Sequence, residues 1–145
     1  MFKFYKIFFS LIVLINLTNI SLAKEEFFNE GVKLFKAKKF DDAKFLFERS
    51  IVFEPKHADS YLYLAKIYKE QEDLKKEEKN LETTLLIDPA NEEAILLMME
   101  MGIERTNYSK VKELSERFTK VCKNLCDKNE KILQDLKNLE PKNES

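Results

Sequence analysis

The sequence predicts an all-α protein: a helical solenoid of antiparallel helix pairs with a C-terminal capping helix. Three observations predict it. Two similar phrases, "FEPKHADSYLYLAKIY" and "IDPANEEAILLMMEMG", carry Pro55 and Pro89, which stand 34 residues apart. Apolar residues around them recur at intervals of three and four, the spacing of one helix face. Only two Gly and three Pro punctuate 145 residues, of which 35% are charged and 44% apolar, and such a composition favours helices.

The first element is set apart from the fold. Lys3 and Lys6 precede an apolar run from Ile7 to Ile15 interrupted only by Ser10, and no acid occurs before Glu25. Asn16, Thr18 and Asn19 break the run, and Ser21 and Ala23 place small residues before a cleavage point. This order predicts a signal peptide over residues 1–23, cut after Ala23, and a periplasmic or secreted protein. The run is about half the ~20 apolar residues of a spanning helix. An uncut N-terminal helix, giving a membrane-tethered adaptor, is the rival expectation. Lys24 rather than Cys follows the cut, which argues against a lipoprotein.

Cleavage leaves 122 residues, 24–145, with 23 basic and 26 acidic side chains, a net charge of −3. That balance gives no footprint for nucleic acid or an anionic membrane surface. The heavy use of Lys, Asn, Ile and Phe is that of an AT-rich, bacterial genome.

The helices follow in order. Phe27, Phe28, Val32, Leu34 and Phe35 lie at helical spacing, "AKKFDD" is a polar turn, and a second helix from Asp41 to Phe53 presents Ala43, Phe47 and Ile51. Pro55 ends it, since proline lacks the N–H a helix needs. The next pair repeats the scheme: Tyr61, Leu64, Ala65 and Tyr68, then "QED", then Leu74, Leu81, Leu85 and Leu86 leading to Pro89. A third pair is expected over Glu92–Arg105 and Ser109–Leu125, the latter with a stripe of Val111, Leu114, Phe118, Val121 and Leu125. A capping helix over 127–139, opened by a capping box of Asp127 and Glu130, would bury Ile132, Leu133, Leu136 and Leu139. The units are thus 24–57, 58–91 and a degenerate 92–126, with a disordered polar tail at 140–145. No pair buries its apolar face alone, so neighbours must stack.

At these residues the chain resembles the tetratricopeptide repeat, in its exported bacterial form. The first unit reads Phe27, Glu30-Gly31, Leu34, Ala43, Phe47, Pro55, and the second Tyr61, Leu64-Ala65, Tyr68, Glu77, Leu81, Pro89. Glu30 and Glu77 depart from the pattern, as do Met99, Ser115 and Lys123 in the third unit. The resemblance implies a concave face built from the first helix of each unit, where a peptide or partner helix lies. On this chain it implies Phe28, Val32, Phe35, Leu62, Tyr63, Lys66 and Lys69 as partner-binding residues, with Leu96 and Glu100 beyond them. An aromatic stripe beside two lysines suits an amphipathic or acidic segment, although Phe28 and Phe35 are equally placed to pack in the core. The clamp that some members use on a C-terminal carboxylate needs Lys, Asn and Arg where this chain has Phe28, Val32, Tyr63, Glu93 and Leu97.

Catalysis finds no constellation. His57 is the only histidine and sits in a link where solvent exposure is expected; two glycines make no phosphate loop; one His and two Cys make no zinc set. The expectation is a non-catalytic protein without cofactor or metal. Cys122 and Cys126 are the remaining pair. An exported chain with an even cysteine count favours a structural disulfide over two thiols. On a regular helix their Cα atoms would lie roughly 6 Å apart with poorly matched side-chain vectors, so a bridge requires the helix to open. A thiol-dependent redox accessory is the reading from another functional class.

Overall fold

The computed structural model describes residues 25–139, and three turns set its period. Lys38, Glu72 and Thr106 all have φ near +56°, each 34 residues from the last. Each follows the first helix of a pair. The next amide reaches back five residues, Lys39 to Leu34, Asp73 to Tyr68 and Asn107 to Gly102, satisfying carbonyls that the helix end leaves open. A left-handed residue normally favours glycine, yet none of the three is one. The backbone therefore keeps the repeat through the third unit, where the side-chain pattern fades.

Seven helices result among the described residues. They are α1 (described over 25–36), α2 (Phe40–Phe53), α3 (Ala58–Glu70), α4 (Leu74–Ile87), α5 (Glu92–Glu104), α6 (Tyr108–Val121) and α7 (Cys126–Leu139). Side-chain caps start four of them: His57, Asp73, Asn91 and Asn107 each accept an N–H from three residues on. The second helices of the pairs stop at Glu54, Asp88 and Cys122, again 34 residues apart.

Those boundaries correct the sequence reading at the third unit. The apolar stripe predicts a helix continuing to Leu125, but α6 ends at Val121 and Cys122 is extended, with ψ 142°. The cap position is inherited from the repeat even though Lys123 replaces proline. The next helix begins at Cys126, so Asp127 lies inside its first turn and does not cap it. Starts at Ala58, Glu92 and Cys126 share the same interval, so α7 stands where the first helix of a further unit would, with no partner helix after it among the described residues. The expected signal peptide at 1–23 and polar tail at 140–145 lie outside the described residues.

Three apolar clusters hold the stack, each made by one pair and the helix that follows. Ala43, Phe47, Leu64 and Ile67 join α2 to α3; Leu62, Ala65, Leu81, Ala94 and Met101 join α3, α4 and α5; Ile95, Met99, Val111, Leu114, Phe118, Ile132 and Leu136 join α5, α6 and α7. Small residues set the closest approaches. A Cβ at Gly31 would stand 2.9 Å from the Phe47 ring. Where the third unit carries Met99, the close contact moves to Gly102, whose added Cβ would meet Val111 at 2.7 Å. Leu86 and Leu139, expected to face inward, are 82% and 51% exposed. No helix among the described residues is long and apolar enough to cross a membrane.

Candidate functional site

The first helices of successive units lie side by side, so one face of the stack is built from α1, α3, α5 and α7. Toward its C-terminal end this face opens into a groove of about 850 Å³. Leu96, Leu97 and Ile103 of α5 and Ile132 of α7, with Leu125 from the link, give its apolar lining. Glu93, Glu100 and Glu104 edge the α5 side, and Lys128, Lys131 and Asp135 the α7 side.

The α5 acids are partly neutralised from the neighbouring unit. Lys66 Nζ lies 2.6 Å from Glu93 Oε1, and Lys69 Nζ lies 2.7 Å from Glu100 Oε2. Burial alone would depress the Lys69 ammonium, but the hydrogen bond and charge of Glu100 outweigh it and hold its pKa above the ordinary lysine value. Across the groove, Lys128 and Lys131 share one side of α7 at a spacing of three, the separation of neighbours on a helix surface. A ligand thus meets an apolar floor, an α5 wall on which Glu93 and Glu100 are ion-paired, and an α7 rim carrying Lys128, Lys131 and Asp135.

The residues expected to bind a partner divide into three groups. Phe28, Val32, Phe35 and Tyr63 come together half-buried at the joint of the first two units. Tyr63 stacks on the buried Phe47 ring at 5.0 Å, and Phe28 and Phe35 meet Tyr63 edge-on at 5.7 and 5.2 Å. Burial pushes the Tyr63 hydroxyl up in pKa, and the nearby Glu93 and Asp59 charges push the same way. Leu62 departs from the expectation, being only 4% exposed and packed within the second cluster. Lys66 and Lys69 point across to α5, and Lys66 also sits 4.6 Å from the Tyr63 ring centroid. Leu96 and Glu100 do border the groove. Lys128 and Lys131 have no part in the sequence reading, Glu92 enters it only as a helix start and Leu97 only as a position that lacks the carboxylate clamp; the 34-residue interval joining Ala58, Glu92 and Cys126 is the signal that places them on one face.

Other polar features have structural work. His57 is not an exposed link residue: Nδ1 accepts the Ser60 N–H and lies 2.8 Å from Ser60 Oγ, while Phe28 packs on the ring at 4.6 Å. Ser60 donates in turn to Ser50 across the α2–α3 joint at 3.1 Å. Both serines are fully buried, so no substrate reaches them as a nucleophile. Glu77, standing where the repeat favours alanine, is 3% exposed. Burial pushes its carboxyl pKa up; Lys69 and Arg105 oppose that shift, and Glu104 and Glu100 reinforce it. Among the described residues no three His, Cys, Asp or Glu side chains converge as a metal site requires.

The link between α6 and α7 carries the cysteine pair. Cys122 and Cys126 have Sγ atoms at disulfide distance, 2.16 Å, and Cα atoms 5.4 Å apart. Between them the amides of Lys123, Asn124 and Leu125 donate to Glu92 at 2.9, 3.0 and 2.7 Å. Desolvation raises the Glu92 pKa, but these three N–H groups and the Lys123 charge prevail and hold it below the ordinary carboxylate value.

No protein-family model matches the sequence, and no curated protein matches it as a relative. Solved structures do resemble it. The first tetratricopeptide domain of Spaghetti, bound to an HSP90 peptide, superposes with a TM-score of 0.69 at 18% identity, over 81% of this chain and 98% of that one. The TPR2B domain of yeast Sti1, in complex with pHsp70, gives 0.74 at 14% identity, over 82% and 99%. The Yersinia enterocolitica type III secretion chaperone SycD, in complex with a peptide of the translocator YopD, gives 0.71 at 12% identity, over 79% and 92%. At such identities the likeness is one of fold, and the fold is that of a tetratricopeptide-repeat solenoid.

Proposed function

We propose that this protein is a non-catalytic interaction scaffold, or assembly factor, that holds a segment of another protein in the groove between α5 and α7. The observation that carries this reading is the groove itself, with Leu96, Leu97, Ile103 and Ile132 along an open apolar lining between charged edges. An amphipathic segment fits it: its apolar side chains meet the lining, and an acidic residue meets Lys128 and Lys131. The peptide complexes of Spaghetti and SycD support the reading, because a stack of the same fold holds a peptide in each. The half-buried row of Phe28, Val32, Phe35 and Tyr63 extends the same face toward the N-terminal end.

The scaffold acts outside the cytoplasm in this reading, after residues 1–23 are removed. The order of charge, apolar run and small residues supports export, as does a cysteine pair at disulfide distance. An N-terminus at Lys24 in the natural protein is the expected mass; intact Met1 in a membrane fraction would return the tethered adaptor.

Site-specific photocrosslinking tests the groove. A photoreactive residue at Leu97 should yield a discrete protein adduct in the natural host, whereas one at Leu86, on an exposed surface outside the groove, should not. Equal labelling from both positions, or none from Leu97, would overturn the assignment.

A further inference from the structure

The link between α6 and α7 joins two features that neither a repeat fold nor a peptide groove requires. Three consecutive amides, at Lys123, Asn124 and Leu125, converge on the one carboxylate of Glu92, the first residue of α5. Consecutive N–H groups aim at one point only while their dihedrals are held, and the concave arrangement is an anion-binding nest. The residues holding the ends of this nest are Cys122 and Cys126, with sulfurs at disulfide distance. Cys122 closes α6 and Cys126 opens α7. Whatever sets the shape of these few residues therefore sets where α7 starts.

We propose that the Cys122–Cys126 loop is a redox-set latch: bridged, it shapes the nest that grips Glu92 and docks the N-terminal end of α7; reduced, it releases both. The exchange is a two-electron reaction with a dithiol reductant. A thiolate of the reductant attacks one sulfur, the S–S bond breaks, and the other cysteine leaves as thiolate and takes up a proton. The second thiol of the reductant then attacks the mixed disulfide. The products are two protein thiols and an oxidised, disulfide-form reductant. Because so short a ring removes little entropy from the unfolded chain, the effect falls on α7 and not on overall stability.

Geometry decides where the release is felt. Beyond Glu92, α7 is fixed by the buried Ile132 and Leu136, by Asn129 donating to Thr119 and by Tyr108 donating to the Leu139 carbonyl. Ile132, Lys128 and Lys131 belong to the N-terminal part of the helix and border the groove, so loosening that end loosens the groove wall. This last consequence rests on the groove being the binding site; the latch itself does not.

The test uses the full mature chain and hydrogen exchange, in the oxidised form and after a small dithiol. Reduction should speed exchange over residues 123–132 by about tenfold, the scale of one charge-assisted hydrogen bond, and leave α1 to α4 unchanged. Glu92→Ala in the oxidised protein should do the same. Reducing that variant should add little, because both changes open one device. Unchanged exchange on reduction, or effects that simply multiply, would overturn the latch, as would two freely alkylated cysteines in unreduced exported protein. If the latch responds but Leu97 crosslinks nothing in either redox state, the groove reading fails alone.

Discussion

Thr106 shows how a backbone requirement outlives the residue that would best meet it. Its φ of 55° is the left-handed region, where a β-branched side chain is the most strained. Thr106→Gly should raise stability by about 1 kcal/mol, measured by urea unfolding, with the greater freedom of the unfolded chain offsetting part of the relief. Gly31 presents the converse case. Gly31→Leu should cost ~1–3 kcal/mol, because side-chain atoms would enter space that the Phe47 ring already limits. Glu77 gives a prediction in pH. Its folded pKa is raised by burial, so its protonated form favours the fold. That contribution is full below the ordinary value near 4.5 and is lost as pH rises through the raised folded value. Glu77→Gln should flatten this fall, leaving the variant relatively more stable near neutral pH than in acid. A thermal-unfolding series across pH measures it, and parallel curves for the two proteins would contradict the account. Gly31 and Glu77 were legible in the sequence as fits to and departures from a repeat. The strain at Thr106 was not, since nothing in its side chain signals a left-handed turn.

At the scale of helices, two kinds of periodicity compete, and the longer one wins. The apolar stripe of Val111, Leu114, Phe118, Val121 and Leu125 continues past the point where α6 stops. The 34-residue spacing of Glu54, Asp88 and Cys122 marks the true end. Leu125 still meets the third cluster, but from the link, so its apolar character reported burial and not helix. Much of the helix order was readable because propensity, caps and spacing agree there. The binding row was less readable, because an aromatic on the first helix of a unit serves either the joint or the open face. Phe35 illustrates the outcome. Its edge contact with Tyr63 and its packing with Phe40 place it in the joint of the first two units. Phe35→Ala should therefore cost ~2–4 kcal/mol in chemical unfolding, somewhat below a fully buried phenylalanine because the ring is only half-covered. A loss under half a kilocalorie would return Phe35 to a role on the free surface.

Across the whole molecule, stacked units leave an open curved face that no single pair could provide. Each cluster is shared with the following helix, so the stack transmits position along its length while its concave side stays available. A groove on that side lies between α5 and α7, and no eighth helix among the described residues packs on the end. The central claim is that a partner segment occupies this groove. Methyl-resolved NMR titration of the mature protein with the segment captured at Leu97 tests it most directly. The account predicts shifts confined to Leu96, Leu97, Ile103, Leu125 and Ile132, saturating together, and abolished by Leu97→Asp in a protein that remains folded. Shifts centred instead on Val52 and Leu86, with the Leu97 variant binding unchanged, would contradict it.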